Sequence, residues 1–501
     1  MSKPAKKPDD LIKDAAQFDA EHNPLHEVPV ALTVYEGVPV AKGTVRYLVT
    51  SAQNATPVFK EGWESLLQAQ MFYKAHLSVI NYRYKNPTSR WTGSQNNAEH
   101  WAEEVRPFLK NERWDINPNL RVLGDIKIVP TAKDPLQGGE GYTGAESSII
   151  GHPNLAFKTV PVPGHLMAKL MTTTGSITVP NYTDSRAGKQ GEFQHVAGAI
   201  IVEVEGGKFW LRHLNMNKRG EFIDVSTLGC KLFTPKGVQD APSPEALVTG
   251  DAHVRVIDNL VVRAVKTIIA KLKPKRIFWH DLFDGLTCNP YQRFWEKLAH
   301  MKAGKDSVED EIKEAAEFVV DMTPAGTESV VVDSNHDAFL RKWVDENDVE
   351  DVGLNGGFYL SVKKFLWDAA HVEDKIAKVP SPFQHFMKQL TDGKGKNIRY
   401  LKEDESYAVK GIECGMHGHL GPNGARGSLY NLVKIGVKFI IGHVHGPGIR
   451  FGGYAVGLMG KLRMGYNRGP SNWLQTMCLV HGDPCGGKRQ LLTIIDGRPW
   501  L

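Results

Sequence analysis

The stretch FIIGHVHGPG, residues 439–448, is an apolar run of strand type that stops at a glycine, with His443 and His445 just beyond it. On a strand, residues two apart point to opposite faces, so the pair could be unrelated polar neighbours. Where the backbone turns at a strand end, the same spacing can converge on one site, and imidazole is the commonest metal-binding side chain. A metal then requires carboxylates and further histidines from elsewhere in the chain. Four other segments supply them, each after a strand-type run. GDAH carries Asp251 and His253, and HDLFDG carries His280, Asp281 and Asp284. DSNHD carries Asn335, His336 and Asp337, and GMHGHLG carries His417 and His419.

These residue types suit one chemistry. Imidazole nitrogen and carboxylate oxygen together bind Mn²⁺, Fe²⁺ or Zn²⁺. Two such ions about 3.5–4 Å apart need a shared ligand, which a carboxylate with two oxygens provides. The ion pair lowers the pKa of a bridging water and holds phosphate oxygens for in-line attack. The five cysteines are scattered and form no CxxC pair, which argues against a structural zinc site or a disulfide scaffold.

The elements that must position these residues read as alternating strands and helices. Near the start of the chain, TVRYLVTSA, KEGWESLLQAQMFYKAH and LSVINYRY predict a strand, an amphipathic helix and a second strand, a βαβ opening. Strands are also expected in RVLGDIKIVP, AGAIIVEVEGGKFWLRHL and EFIDVST, and QGGEGYTGAESS reads as a long surface loop. The proline-rich stretch TPKGVQDAPSPEA, residues 234–246, predicts a domain boundary. Beyond it, ALVTG, RIFWH, TESVVVDS, SYAVKGIECG, VKFIIGH and YAVGLMG read as strands, with helices over RVIDNLVVRAVKTIIAKL and SVEDEIKEAAEFVVDM. In a parallel-rich sheet the five residue-bearing strand ends are expected along one edge. The expected organisation is a polar arm over 1–28, an N-terminal α/β domain over 29–240 and a second domain over 241–501.

With 41% hydrophobic and 23% charged residues, the composition is that of a globular protein. No apolar run reaches the length of a membrane span, and the first residues lack a signal-peptide core, so a cytoplasmic location without a membrane partner is expected. A net charge of +5 neither requires nor excludes nucleic acid. Two local segments mix cations with aromatic rings: NYRYKNPTSRW at 81–91 and KFWLRHLNMNKRG at 208–220.

The ordered motifs GDAH, HDLFDG, SNHD, MHGH and GHVH resemble those of the calcineurin-like metallophosphoesterase superfamily, over about residues 245–465. The resemblance implies an α/β fold in which a β-sandwich flanked by helices carries two divalent ions. Manganese is the expected ion, with iron, zinc or magnesium as alternatives. It implies that Asp251, His253 and His445 hold one ion, that Asn335, His417 and His443 hold the other, and that Asp281 bridges them. His336 would protonate the leaving-group oxygen, with Asp284 or Asp337 as its acidic partner. In HGH, His417 is the expected ligand and His419 an outer partner. Two departures stand out: His280 and Ser334 occupy positions where the superfamily usually has glycine. A bulkier His280 is expected to reshape the pocket or touch substrate. His152, His165, His195 and His213 have no such spacing and read as ordinary histidines.

The superfamily includes phosphatases, cyclic-nucleotide phosphodiesterases and nucleases, so other residues must choose the substrate. Arg341 and Lys342 lie one helical turn past His336, and Arg426 follows the HGH motif; these cations suit phosphate contacts. Arg83, Lys85 and Arg90 suit the same role, interleaved with Tyr82, Tyr84 and Trp91. The longer stretches TSAQNATPV, YRYKNPTS, HGHLGPNGARGS and GYNRGPSNW resemble a narrower group of phage metallophosphoesterases, the A1-type DNA-degradation proteins of T5-like phages. That resemblance implies Mn²⁺-dependent hydrolysis of host DNA in the infected cell. It is compatible with a homo-oligomer of a subunit number that nothing in the sequence fixes. A phosphomonoesterase or small-nucleotide phosphodiesterase is the alternative. A non-catalytic DNA-transfer or scaffold protein is the third reading.

Overall fold

The computed structural model describes residues 43–91, 100–163, 166–372, 380–464 and 467–499. The polar arm, His165 and part of the GYNRGPSNW stretch lie outside the described residues. The fold is mixed α/β, as expected. The predicted βαβ opening forms, with Thr44–Gln53 and His76–Tyr82 parallel neighbours and the Lys60–Tyr73 helix between them. Gly198–Glu205 and Lys208–Asn215 extend this five-stranded sheet as an antiparallel hairpin. Gly206 turns that hairpin at a φ of 59°, a conformation open to glycine at little cost.

A six-stranded sheet lies at the centre of the molecule. Its parallel strands are Asn397–Tyr400, Glu328–Val331, Arg276–His280 and Ala246–Asp251, continued by antiparallel Thr476–Val480 and Arg489–Thr493. Alternation along each strand assigns side chains to two core layers. Leu247, Ile277, Trp279 and Val331 pack among helices, while Val248, Phe278 and Val330 join a layer with Ile149, Ile412, Ile440 and Tyr454. Helix Asn259–Leu272 shows how its sequence fits the first layer. Val261, Ala264, Val265, Ile268, Ile269 and Leu272 form one buried stripe, and Asp258 Oδ1 caps the start by accepting the Leu260 N–H at 2.9 Å.

The second layer is closed by a ten-stranded sheet that draws on both halves of the sequence. Its strand Phe157–Val160 pairs antiparallel with Gly448–Arg450, so strands from either side of residue 240 are hydrogen-bonded together. Inside the stretch read as a boundary, Gly237–Asp240 forms a strand. The predicted SYAVKGIECG strand is instead a small hairpin of Ala408–Val409 and Ile412–Glu413, because Lys410 and Gly411 turn the chain with positive φ. RVLGDIKIVP contributes only Leu120–Leu123.

Candidate metal centre

The five motifs do not lie along one sheet edge. Asp251, Asp281 and Asn335 follow three adjacent parallel strands of the six-stranded sheet. His417, His443 and His445 instead follow the parallel strands Ile412–Glu413 and Lys438–Ile441 of the ten-stranded sheet. The site is therefore built where the ends of two sheets meet, and the expectation of a single edge is corrected. The sequence shows the order of strands but not which sheet each one joins.

The turns that aim these side chains are strained. His253, Asp281, His443 and His445 all adopt positive φ, at 46°, 45°, 66° and 54°. Non-glycine residues in this region cost about 1–3 kcal/mol each, and they persist where surrounding structure fixes them. Gly442 has the opposite need: a Cβ there would overlap Asp251 Oδ1 and approach His280 Cγ to 3.1 Å. The glycine before His443 is thus required by the close approach of the Asp251 carboxylate.

Two sets of ligand atoms converge. Asp251, His253, Asp281 and His445 each offer one atom within 4.8 Å of all the others. His445 Nε2 lies 3.0 Å from Asp251 Oδ2 and 3.3 Å from His253 Nε2. In the second set, Asn335 Oδ1 is 3.1 Å from both His417 Nε2 and His443 Nδ1. Asp281 Oδ2 stands between the sets, 3.8 Å from His253 Nε2 and 3.2 Å from His417 Nε2. His443 and His445 consequently belong to different sets, although only one residue separates them.

The donor set fits divalent cations. Both Asp251 oxygens and Asp281 Oδ1 are buried without a hydrogen-bond partner. An uncompensated buried carboxylate costs several kcal/mol, and a cation in contact with it removes that cost. The Asp251–His445 approach is close but not aligned as a hydrogen bond. Burial pulls His253 down, yet the Asp284, Asp281 and Asp251 carboxylates together raise it to about 9. The cluster thus draws positive charge. Burial, followed by His417, depresses His443 and His419 to about 4, so at neutral pH each ring is uncharged, with one nitrogen protonated and the other free to accept.

Around these sets the remaining candidates fall into distinct places. His336 Nδ1 donates to the Asp284 carbonyl at 2.9 Å, and neither candidate carboxylate hydrogen-bonds it. The Asp284 carboxylate instead approaches His253 Nδ1 to 2.9 Å, a charge contact that is not aligned as a hydrogen bond. Asp337 accepts from the Ser334 hydroxyl at 3.2 Å and the Ser334 N–H at 3.4 Å. That contact gives the serine a use at a position where glycine was expected. Burial, followed by Asp333 and Asp281, raises Asp337 well above the ordinary carboxyl range.

His280 is enclosed by the protein. It is 0% exposed, with Nδ1 3.4 Å from His417 Nδ1; with Asp251 and His417 it offers ligand atoms within 4.8 Å of one another, and burial depresses it to about 4. His419 is half-buried, its ring 5.4 Å from that of His417. Arg341 is half-buried on helix Phe339–Glu346, and Arg426 is exposed.

Arg83 lies over the Trp101 ring at 5.8 Å, and Arg90 lies over Trp91 at 4.3 Å. Lys85 is exposed. Tyr82 is fully buried, its hydroxyl 3.0 Å from Ser176 Oγ, so it completes a strand face and is unavailable to stack on a base. Tyr84 is half-buried against Tyr182. His152 and His213 are buried and His195 is half-buried, each with a hydrogen-bond partner, as the sequence suggested.

Two further residues, Glu311 and Trp473, stand near the site without a role assigned from the sequence. Glu311, 1% exposed, accepts the N–H groups of Asp284, Gly285 and Leu286 at 3.2, 2.7 and 3.1 Å. Burial and the neighbouring Asp284 raise it to about 8. A charged residue on the buried stripe of helix Val308–Met322, at the Val308 + 3 position, was the available signal. Trp473, the last residue of the GYNRGPSNW stretch, packs edge-on against His445, with ring centres 4.4 Å apart.

No protein-family model matches the chain. Among solved structures, chitobiase of Flavobacterium johnsoniae covers 61% of this chain and 50% of its own, at 13% identity and a TM-score of 0.18, which carries no argument about fold. Protein A1 of Escherichia phage T5 is 30% identical over 472 residues, covering 90% of this chain and 82% of that protein. At that identity and coverage, the chain belongs to the phage T5 protein A1 family.

Proposed function

We propose that the protein is a metal-dependent DNase of the calcineurin-like metallophosphoesterase type, acting on host DNA in the cytoplasm of the phage-infected cell. The observation that carries this reading is the placement of Asp281 Oδ2 between two converging ligand sets. Asp251, His253 and His445 would hold one ion and Asn335, His417 and His443 the other, with Asp281 shared. Bound Mn²⁺ or a similar ion would lower the pKa of a water and polarise the phosphoryl oxygens.

The chain's own residues supply the rest. A carbonyl oxygen only accepts, so the Asp284 carbonyl fixes the proton on His336 Nδ1 whenever the ring is neutral. Once the ring is doubly protonated, Nε2 is the nitrogen that hands a proton to the leaving oxygen. The Asp284 carboxylate sets a negative charge beside His253 Nδ1. Arg341, Arg426, Arg83, Lys85 and Arg90 are proposed contacts for the phosphate backbone.

The test is an assay of the purified protein on plasmid, linear duplex and single-stranded DNA with Mn²⁺, Mg²⁺ or EDTA. Hydrolysis that needs the metal is expected. Hydrolysis that persists after exhaustive chelation, or none under any condition, would overturn the reading.

A further inference from the structure

Helix Phe294–Lys302 lies on the surface with none of its nine residues buried. Phe294 and Trp295 are 68% and 73% exposed, and Tyr291, in the turn before them, is 74% exposed. Water-exposed rings in such a group are costly to leave uncovered, which marks a binding face. Between Pro290 and Lys305 the chain carries four exposed cations, Arg293, Lys297, Lys302 and Lys305, against the single carboxylate of Glu296. That carboxylate folds back to accept the Arg293 N–H at 2.9 Å. The face is therefore aromatic and positive.

Its position ties it to the metal centre. The segment leaves the site directly from Asp284. The Tyr291 ring is 6.2 Å from that of Phe339, and Phe339 is 4.7 Å from His336. Lys342 lies over Tyr291 at 5.5 Å, adding a cation beside the ring. Rings interleaved with cations match a nucleic-acid strand, because every base offers a face to stack and every linkage a phosphate.

We propose that Tyr291, Phe294 and Trp295, with Arg293 and Lys297, bind a DNA strand with unpaired bases and lead it toward His336. The link to catalysis rests on the phosphodiesterase reading, but the strand site itself does not. Unpaired bases are required because rings inside a duplex stack offer no free face.

The test is fluorescence anisotropy of the full chain in EDTA, with labelled oligothymidine and an abasic oligomer of equal length. The Phe294→Ala/Trp295→Ala variant should bind oligothymidine about tenfold more weakly or worse. The abasic oligomer should show no comparable loss. Trp295→Tyr keeps a stacking face and should remain within about threefold of the wild type. Equal oligothymidine affinity in the wild type and the double variant overturns the proposal. So does a sedimentation result in which the double variant turns a dimer into a monomer at unchanged affinity, which would give the face to a second copy. Hydrolysis of bis(4-nitrophenyl) phosphate by the wild type with Mn²⁺ tests the metal reading separately. Its absence alongside base-dependent binding would remove that reading and leave the strand site standing.

Discussion

His336 donates through Nδ1 to the main-chain carbonyl of Asp284 across 2.9 Å, while the Asp284 side chain approaches His253 across the same distance. One residue thus touches both the proposed proton donor and a proposed ligand, through different atoms. Removing the His336 ring separates chemistry from metal binding. His336→Ala should keep metal content near that of the wild type and lower the rate by about 10²–10⁴. The loss should be smaller on a nitrophenyl ester, whose leaving group needs less protonation. Equal losses on both substrates would assign His336 a ligand or structural role.

Asp281 is the proposed shared ligand, so Asp281→Asn should remove more than one ion. Metal analysis of the dialysed variant should show both ions depleted, with DNA hydrolysis abolished. Near-normal turnover would show that the bridging assignment is wrong.

Glu311 predicts an effect on stability as well as rate. Glu311→Ala leaves the N–H groups of Asp284, Gly285 and Leu286 without their acceptor. Each unsatisfied group costs about 1–3 kcal/mol, so the variant should lose at least about 3 kcal/mol in a guanidinium titration. Glu311→Gln keeps an amide oxygen in place and should lose much less. An alanine variant as stable and active as the wild type would show that the loop holds itself.

The buried histidines predict acid sensitivity. Burial holds His213 at about 4, against about 6.5 in an unfolded chain. Between those values the unfolded chain binds more protons, so this contribution is full above pH 6.5 and lost as pH falls through 4. The stability gap between the wild type and His213→Gln should shrink across that window by up to about 3 kcal/mol. Urea titrations at pH 7.5, 5.5 and 4.5 measure it, and a constant gap would contradict a buried neutral ring.

Neutralising Arg83, Lys85 and Arg90 tests the N-terminal cations. DNA affinity should fall and its dependence on salt should flatten, because fewer counterions are released. An unchanged salt slope would make this segment structural.

The sequence by itself determined the residue types of the candidate ligands and their order, because each motif sits in a short turn after a strand-type run. The helix over 259–272 was legible for the same local reason, its apolar stripe and Asp258 cap lying within one segment. Ser334 and His280 were visible as departures, but their partners Asp337 and His417 were not. Only the tertiary structure decided that Asp251, Asp281 and Asn335 come from one sheet and His417, His443 and His445 from another. It also decided that Tyr82 is buried, that His280 is buried beside His417, and that Glu311 holds the Asp284 loop. Those outcomes depend on pairings such as Phe157–Val160 with Gly448–Arg450, residues almost three hundred positions apart. Periodicity fixes which face of an element is apolar, but not which distant element covers it.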